Sequence, residues 1–450
     1  MDKNLEINSL FDKRINKFEF KTTRFGLVDY VNLDNAATTP PFLSVENEVR
    51  DYLTSYGSVH RGSGEKSKVS TDIYENCRGV IKSFVSAPTN SYILFSSNTT
   101  GAINMAAYFF SFLRGKVAVS SIEHSSSFLP WVKSEGMKKL GSEQYELNDL
   151  ENVNERIQLL GRNQVLNYEI NEKFEFDLDN IESILQKNEV KVFVLTASSN
   201  VTGYCPEVKK IGELVHKYGA YFLVDACQYL PHHKIDMKEM CIDFLVASGH
   251  KIYAPYGAGF LIGPKDFLDK FLPYQIGGGN LPYITESGEF IIYHNQLTHD
   301  PGTPNAVGVV AMTTALQQIF ELGIENIENY EKKLTKRLYD YLSSNYKVEL
   351  FVSKEHLSTI IPFRIKDKDS KEIAEKLNTD YGIGVRVGSF CVYSFLRKLL
   401  GIRDENDIVK SVKSGEINKI PSLLRASIGL CNTETDIDRI ILAIKELTNQ

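Results

Sequence analysis

Five short apolar runs constrain most tightly how this chain can fold. YILF (92–95), KVAVS (116–120), KVFVLT (191–196), YFLVD (221–225) and DFLVAS (243–248) are rich in β-branched and aromatic residues and almost continuously apolar. A strand with one wet face alternates apolar and polar residues, whereas a run apolar on both parities is covered on both faces. Helical patterns separate the runs. Ile73, Cys77, Val80, Ile81 and Phe84 fall on one helix face, and Ile211, Leu214 and Val215 on another. Alternation of this kind predicts an α/β domain with a mostly parallel sheet.

Past about Pro304 the pattern changes to long helices with a few strands. The chain closes on TETDIDRIILAIKEL, where Ile437, Ile440, Ile441, Ile444 and Leu447 form one stripe and Thr433 with Asp436 reads as a capping box. We expect a large domain over 30–303 and a smaller α+β domain built from 304–450 with the N-terminal segment 1–29. Two polar stretches, 133–171 and 401–421, read as surface insertions.

A chain of 450 residues can bury a large core. With 51 Lys and Arg against 57 Asp and Glu, the net charge of −6 gives no electrostatic reason to expect nucleic acid or an anionic membrane as partner. No apolar run approaches the ~20 residues that span a bilayer. The first twenty residues interleave acids and bases without a signal-peptide core, so a cytoplasmic protein is expected. The six cysteines (Cys77, Cys205, Cys227, Cys241, Cys391, Cys431) show neither CxxC pairs nor metal-ligand spacing, and no metal site is expected.

In an open α/β sheet, ligands sit at the carboxyl ends of the strands. After YILF comes SSNTTGAIN, a turn opening into a helix. Its backbone N–H groups with Thr99 and Thr100 make either a phosphate cup or an ordinary N-cap. YFLVD ends on Asp225, a buried acid that requires a cationic partner: a structural salt bridge, or a protonated pyridine nitrogen. KVFVLT leads to Asn200 and KVAVS to His124. DFLVAS ends at Ser248-Gly249-His250-Lys251, where Ser248 and His250 suit a phosphate and the lysine a carbonyl carbon. Phosphate, cationic ring nitrogen and aldehyde together describe pyridoxal 5'-phosphate.

These motifs, with LDNAATTP (33–40), SVHRG (58–62), EHSSSFLPW, SSNVTGY, VDACQ, GTPN (302–305), VRVGSFC (385–391) and LRASIGL (424–430), resemble those of the class V aminotransferase group of fold-type I pyridoxal phosphate enzymes, and within it the cysteine desulfurases and selenocysteine lyases. The resemblance runs from about Val31 onward. It implies a PLP-dependent transferase fold of type I and a homodimer with shared active sites. It makes Lys251 the Schiff-base lysine, Asp225 the ring-nitrogen partner and His124 a catalytic residue that stacks on the ring and helps in proton transfer. Gln228 and Asn200 lie around the ring hydroxyl, and Thr99, Thr100, Ser248 and His250 at the phosphate, with Thr303 reaching the neighbouring subunit's phosphate. Ala36, Arg386 and Arg425 are assigned to the substrate, with Arg425 on its α-carboxylate. Cys391 matches the cysteine that takes the substrate sulfur as a persulfide and passes it to an acceptor protein. The implied activity is an L-cysteine desulfurase, and the alternative is a selenocysteine or cystine lyase, or another class V enzyme, in which Cys391 is not catalytic. The chain departs from the family pattern at Phe390, where histidine often stands, and in the longer span between Cys391 and Arg425.

Overall fold

The structure, a computed structural model, describes residues 7–12, 18–140, 153–293, 295–416 and 420–449. Two compact units emerge. The larger comprises Ser44–Ala197 and Pro206–Phe320, and the smaller Met1–Leu43, Ser198–Cys205 and Glu321–Gln450.

The larger unit is built on a seven-stranded sheet: β1 (Ser91–Ser96), β2 (Lys116–Ser120), β3 (Val165–Tyr168), β4 (Val190–Thr196), β5 (Tyr221–Asp225), β6 (Phe244–Ser248) and β7 (Gly259–Pro264). Their order is β1-β7-β6-β5-β4-β2-β3. Only β7 runs against its neighbours, so β1, β2, β4, β5 and β6 all end at the same edge. All five apolar runs are strands here, and β4 is buried at every position. β7 begins at Gly259, where a Cβ would stand 2.7 Å from the Asn98 backbone. Only glycine lets the strand start against the turn above β1.

Helices α1 (Glu65–Phe84), α2 (Thr99–Ser111), α3 (Ser125–Leu140), α4 (Val153–Arg162) and α5 (Val208–Lys217) belong to this unit. The Phe110 ring of α2 meets Trp131, Tyr221, Phe244 and Phe267 at centroid distances of 5.0 to 6.0 Å. Truncating such a ring to alanine costs about 3–5 kcal/mol.

The stretch 133–171 is not a surface insertion. Residues 141–152 lie outside the described residues, but the flanks build α3, α4 and the edge strand β3. Tyr168 of β3 is fully buried, stacks on Phe193 at 4.4 Å and donates its hydroxyl to the Val194 carbonyl at 2.6 Å. The polar look of the stretch comes from the outer face of α4 and from a strand too short to show its pattern. In 401–421 the structure does show a short exposed helix, Asn406–Lys413, with only Ser411 buried; residues 417–419 lie outside the described residues.

The smaller unit holds a four-stranded antiparallel sheet of β8 (Val348–Leu350), β9 (Ile360–Ile365), β10 (Arg386–Gly388) and β11 (Leu423–Ser427), in the order β8-β9-β11-β10. Val31–Asn32 pairs in parallel with Ile383–Gly384, which ties the segment before Leu43 to this unit. At the other border, helix α6 (Ala306–Leu322) is buried along most of its length up to Ile319, and the unit border falls after Phe320. Sequence pattern alone set these borders at residues 30 and 303.

Helices α7 (Ile324–Ser344), α8 (Ser370–Tyr381) and α9 (Glu434–Asn449) are the longest of the smaller unit. The capping box of α9 forms: Thr433 N–H donates to Asp436 Oδ2 at 2.9 Å and Asp436 N–H to Thr433 Oγ1 at 3.3 Å. Ile437, Ile440, Ile444 and Leu447 are buried. Among the described residues no single helix is long and apolar enough to cross a membrane.

Candidate active site

The larger unit collects polar side chains at the edge where its parallel strands end. Asp225 closes β5 and is 6% exposed. Its Oδ2 accepts the Ser127 hydroxyl at 2.5 Å and its Oδ1 the Cys227 N–H at 3.0 Å. Among the described residues no Lys or Arg pairs with it, so the salt-bridge explanation of this buried acid fails. A buried carboxylate with hydrogen bonds and no counter-cation is a site for an external cation.

His124 follows β2, and its Nδ1 accepts the Ser126 N–H at 3.1 Å. In the neutral ring that contact places the proton on Nε2. After β1, Asn98 caps α2, accepting the Gly101 N–H at 3.0 Å. Thr100 is exposed and its hydroxyl meets that of Ser126 at 2.8 Å. Thr99 turns inward instead, beside the buried Cys227 thiol. Gln228 is buried on the turn after Asp225.

β6 delivers Lys251 through a single 3-10 turn, Gly249–Lys251. The turn is held by Gly249, whose N–H reaches the Ala258 carbonyl at 2.8 Å and whose own carbonyl accepts the Ile252 and Ala254 N–H groups at 3.0 Å each. Tyr253 (φ 63°) and Gly257 (φ 70°) then bend the chain into β7. Lys251 and His250 are half-buried. Burial, with the Lys251 charge adding to it, pushes the His250 imidazole down to about 4, so the ring is neutral at pH 7. Ser248 is buried, its hydroxyl 3.4 Å from the Ala258 carbonyl. Thr303 is exposed on the segment before α6.

The smaller unit carries a second set, centred on Arg425 in β11. This guanidinium is 2% exposed. Nη1 donates to the Asn200 backbone carbonyl at 2.8 Å and Nη2 to Asp34 Oδ1 at 2.9 Å, while Nε has no partner. The Phe390 ring covers the guanidinium at 4.9 Å. Burial lowers the Arg425 value and Asp34 opposes that pull. Arg386, on β10 opposite Arg425, is half-exposed and 3.7 Å from the other Asp34 oxygen. Asn200, expected at a ring hydroxyl, donates its side-chain N–H to the Phe390 carbonyl at 2.8 Å. The Ala36 N–H donates to Ser427 Oγ at 2.9 Å.

Beyond β10 the chain turns through Phe390 (φ 54°) and Cys391 (φ 59°), consecutive left-handed residues without glycine. Each such residue costs about 1–2 kcal/mol. The Phe390 contacts with Arg425 and Asn200 offset that cost, since a desolvated cation–π pair contributes about 2 kcal/mol and a hydrogen bond about 1. The turn leaves Cys391 exposed, the only one of the six cysteines that is.

The aminotransferase class-V family model matches residues 31–158 and 154–440. The chain belongs to the aminotransferase class-V family. It is 28% identical to a probable cysteine desulfurase of Halalkalibacterium halodurans over 424 residues, and 27% identical to a cysteine desulfurase of Wigglesworthia glossinidia brevipalpis over 420 residues, with 92% of each chain covered in both cases. The apo structure of a cysteine desulfurase from Thermococcus onnurineus superposes with a TM-score of 0.77 at 26% identity, covering 93% of this chain and 95% of that one. The fold is therefore that of the type I pyridoxal phosphate enzymes, and the family is one of pyridoxal phosphate enzymes.

The donor set of this class-V chain fits that cofactor. It has an amine at Lys251, an unpaired buried acid at Asp225, and the Thr100 hydroxyl, His250 and the α2 N-terminus for an anion. Sequence reasoning missed three residues. Glu123 and Ser127 flank the expected His124 within EHSSSF, and both act on the neighbourhood of Asp225. Asp34, inside LDNAATTP, pairs with both arginines. A buried acid one residue before His124 was the available signal for the first. Among the described residues one trio of metal-capable side chains, His60, Glu75 and Asp300, also lies close together, but Arg78 pairs with both carboxylates and already occupies them.

Proposed function

We propose that this protein is a pyridoxal phosphate-dependent L-cysteine desulfurase that forms alanine and holds the sulfur as a persulfide on Cys391. The observation that carries the reading is the exposed Cys391 thiol, presented by a left-handed turn that is tied through Phe390 to the buried Arg425.

The larger unit's residues hold the cofactor in this reading. Asp225 keeps a proton on the ring nitrogen, Gln228 and His124 lie against the ring, and Thr100, Ser248 and His250 serve the phosphate, with Thr303 serving that of a second copy of the chain. Bound pyridoxal phosphate supplies the electron sink for negative charge at the substrate α-carbon. Lys251 Nζ holds the cofactor at rest and moves the α-proton during turnover. The smaller unit's residues serve the substrate. Arg425 binds the α-carboxylate through its unpartnered Nε–H and a planar fork suited to two oxygens, with Arg386 assisting. The Cys391 thiolate attacks the substrate sulfur; the new S–S bond replaces the substrate C–S bond and leaves alanine. The persulfide then passes to an acceptor protein.

Product analysis with L-cysteine tests this directly. Wild type forms alanine with one persulfide per chain before an acceptor is added, and Cys391→Ser forms neither. Pyruvate with ammonia, or undiminished alanine from Cys391→Ser, would instead identify a C–S lyase that works without the thiol.

A further inference from the structure

Arg61 stands in the SVHRG motif, and the chemistry above gives it no task. Its loop is fastened to one face of α1. The Gly57 N–H donates to Ser70 Oγ at 2.8 Å, the His60 N–H to Thr71 Oγ1 at 2.8 Å and the Gly62 N–H to Ser67 Oγ at 3.0 Å. His60 Nε2 and Glu75 Oε1 stand 2.7 Å apart. His60 itself sits at φ 70°, a left-handed conformation that a non-glycine residue keeps only where its surroundings hold it. The Arg61 side chain therefore starts from a fixed point.

The guanidinium bridges two further segments of the larger unit. Nη2 donates to the Gly278 and Gly302 carbonyls at 3.2 Å each, and the Gly302 N–H reaches the same Gly278 carbonyl at 2.7 Å. Gly279, at φ 102°, makes room, since a Cβ there would fall on Nη2. Two more anchors hold the same stretch. Asp300 pairs with the buried Arg78, and Asn305 Nδ2 donates to the Tyr256 and Gly257 carbonyls at 2.9 Å each. Residues 300, 302 and 305 are thus tied down. Thr303 between them is exposed, and its hydroxyl has no partner among the described residues.

Arg61 is exposed, and among the described residues no carboxylate pairs with it. Ordering an exposed arginine costs rotamer entropy comparable to what two exposed hydrogen bonds return, so the clamp adds little stability. What it fixes is the place of one hydroxyl. We propose that Arg61 is a positioning residue for Thr303. It holds residues 300–305 so that the Thr303 hydroxyl meets the phosphate of the cofactor bound by a second copy of the chain. The inference rests on the reading of Thr303 given under the proposed function. Its distinguishing consequence is a direction: Arg61 acts on the cofactor of the other copy and not on that of its own chain.

Mixed dimers test that direction. Two differently tagged chains are co-expressed and the mixed species is purified. Lys251→Ala in one chain leaves a single lysine on which borohydride can fix pyridoxal phosphate. With Arg61→Ala placed on the Lys251→Ala chain, half-saturation of the intact chain by pyridoxal phosphate rises about tenfold, the effect of one hydrogen bond to a charged group. With Arg61→Ala placed instead on the chain that keeps Lys251, half-saturation stays within about twofold of the control dimer. Gly279→Ala, which displaces the guanidinium without removing it, follows the same pattern. Equal losses in the two arrangements, no loss in either, or a chain that stays monomeric overturns the proposal. A second measurement needs no cofactor. In the apo-protein, amide hydrogen exchange over residues 300–305 is several-fold faster in Arg61→Ala than in wild type, while α1 is unchanged. Equal rates over 300–305 overturn the clamp. If wild type takes up no pyridoxal phosphate, or Thr303→Ala keeps full affinity, the reading of Thr303 falls instead, and the exchange measurement still decides whether Arg61 holds the segment.

Discussion

Asp225 and Arg425 are both buried charges, one in each unit, and they are held in different ways. Asp225 stands at the end of a strand, and its donors come from the start of α3, after β2, and from its own turn. Arg425 stands within a strand, and its partners Asn200 and Asp34 lie 225 and 391 residues away in the chain. The first arrangement follows once the sheet forms, because parallel strands deliver their ends to one edge. The second exists only when three distant segments have converged. A strand-end residue is therefore the more robust of the two, and a residue such as Arg425 depends more on its supports.

Mutations can break this contrast or sharpen it. Lys251→Ala should give the largest loss, lowering alanine formation about 10⁴-fold, the upper range for a positioned acid-base group, with no cofactor fixed by borohydride. Cys391→Ser should lose about 10³-fold in the same assay while keeping the cofactor's absorption, as expected when a nucleophile outside the larger unit is removed. If Cys391→Ser also lost the cofactor band, the division of labour between the two units would fall.

Arg425→Lys should raise KM for L-cysteine about 10- to 100-fold, because an ammonium cannot reproduce the fork and loses charged hydrogen bonds of about 1.5–3 kcal/mol. Asp34→Asn tests the supports themselves. It leaves the Arg425 cation buried without its counter-charge, so stability should fall by about 1–2 kcal/mol in urea unfolding, and KM should rise less than in Arg425→Lys. Equal KM effects in the two variants would mean that Asp34 itself touches the substrate.

The smallest effect concerns pH. His250 and His299 are both pushed down to about 4, chiefly by burial. Between pH 6.5 and about 4 the unfolded chain binds protons at these positions that the native larger unit does not. Stability should therefore fall as pH is lowered through that window, by roughly 1–2 kcal/mol once solvent screening of the half-buried His250 is allowed for. His250→Asn should flatten part of that acid limb in a Tm series, and an unchanged limb would mean that other groups set it.

The two units were not equally legible in the sequence. Buried parallel strands announce themselves as unbroken apolar runs, so β1, β2, β4, β5 and β6 could be read directly, and with them the placement of Asp225, His124 and Lys251. β3 and β7 were harder, the first because a four-residue edge strand shows no period, the second because its antiparallel course has no local signature. In the smaller unit the capping box of α9 was visible as Thr433 and Asp436, since capping is local chemistry. The pairing of Arg425 with Asp34 and the role of Asn200 in holding Phe390 were not visible, because each joins residues with no sequence relation to one another. The inward turn of Thr99 beside the exposed Thr100 depends on the rotation of α2, which the motif alone does not set.

The turn at Phe390 and Cys391 has a consequence for anyone who engineers this protein. Both positions sit in backbone conformations that glycine adopts most easily, so a library screened for heat resistance alone should enrich Phe390→Gly or Cys391→Gly wherever the relaxed backbone outweighs the lost contacts. The first takes away the ring over Arg425 and the second takes away the thiol. Selection for a sturdier molecule and selection for a working one therefore pull in opposite directions at two adjacent codons.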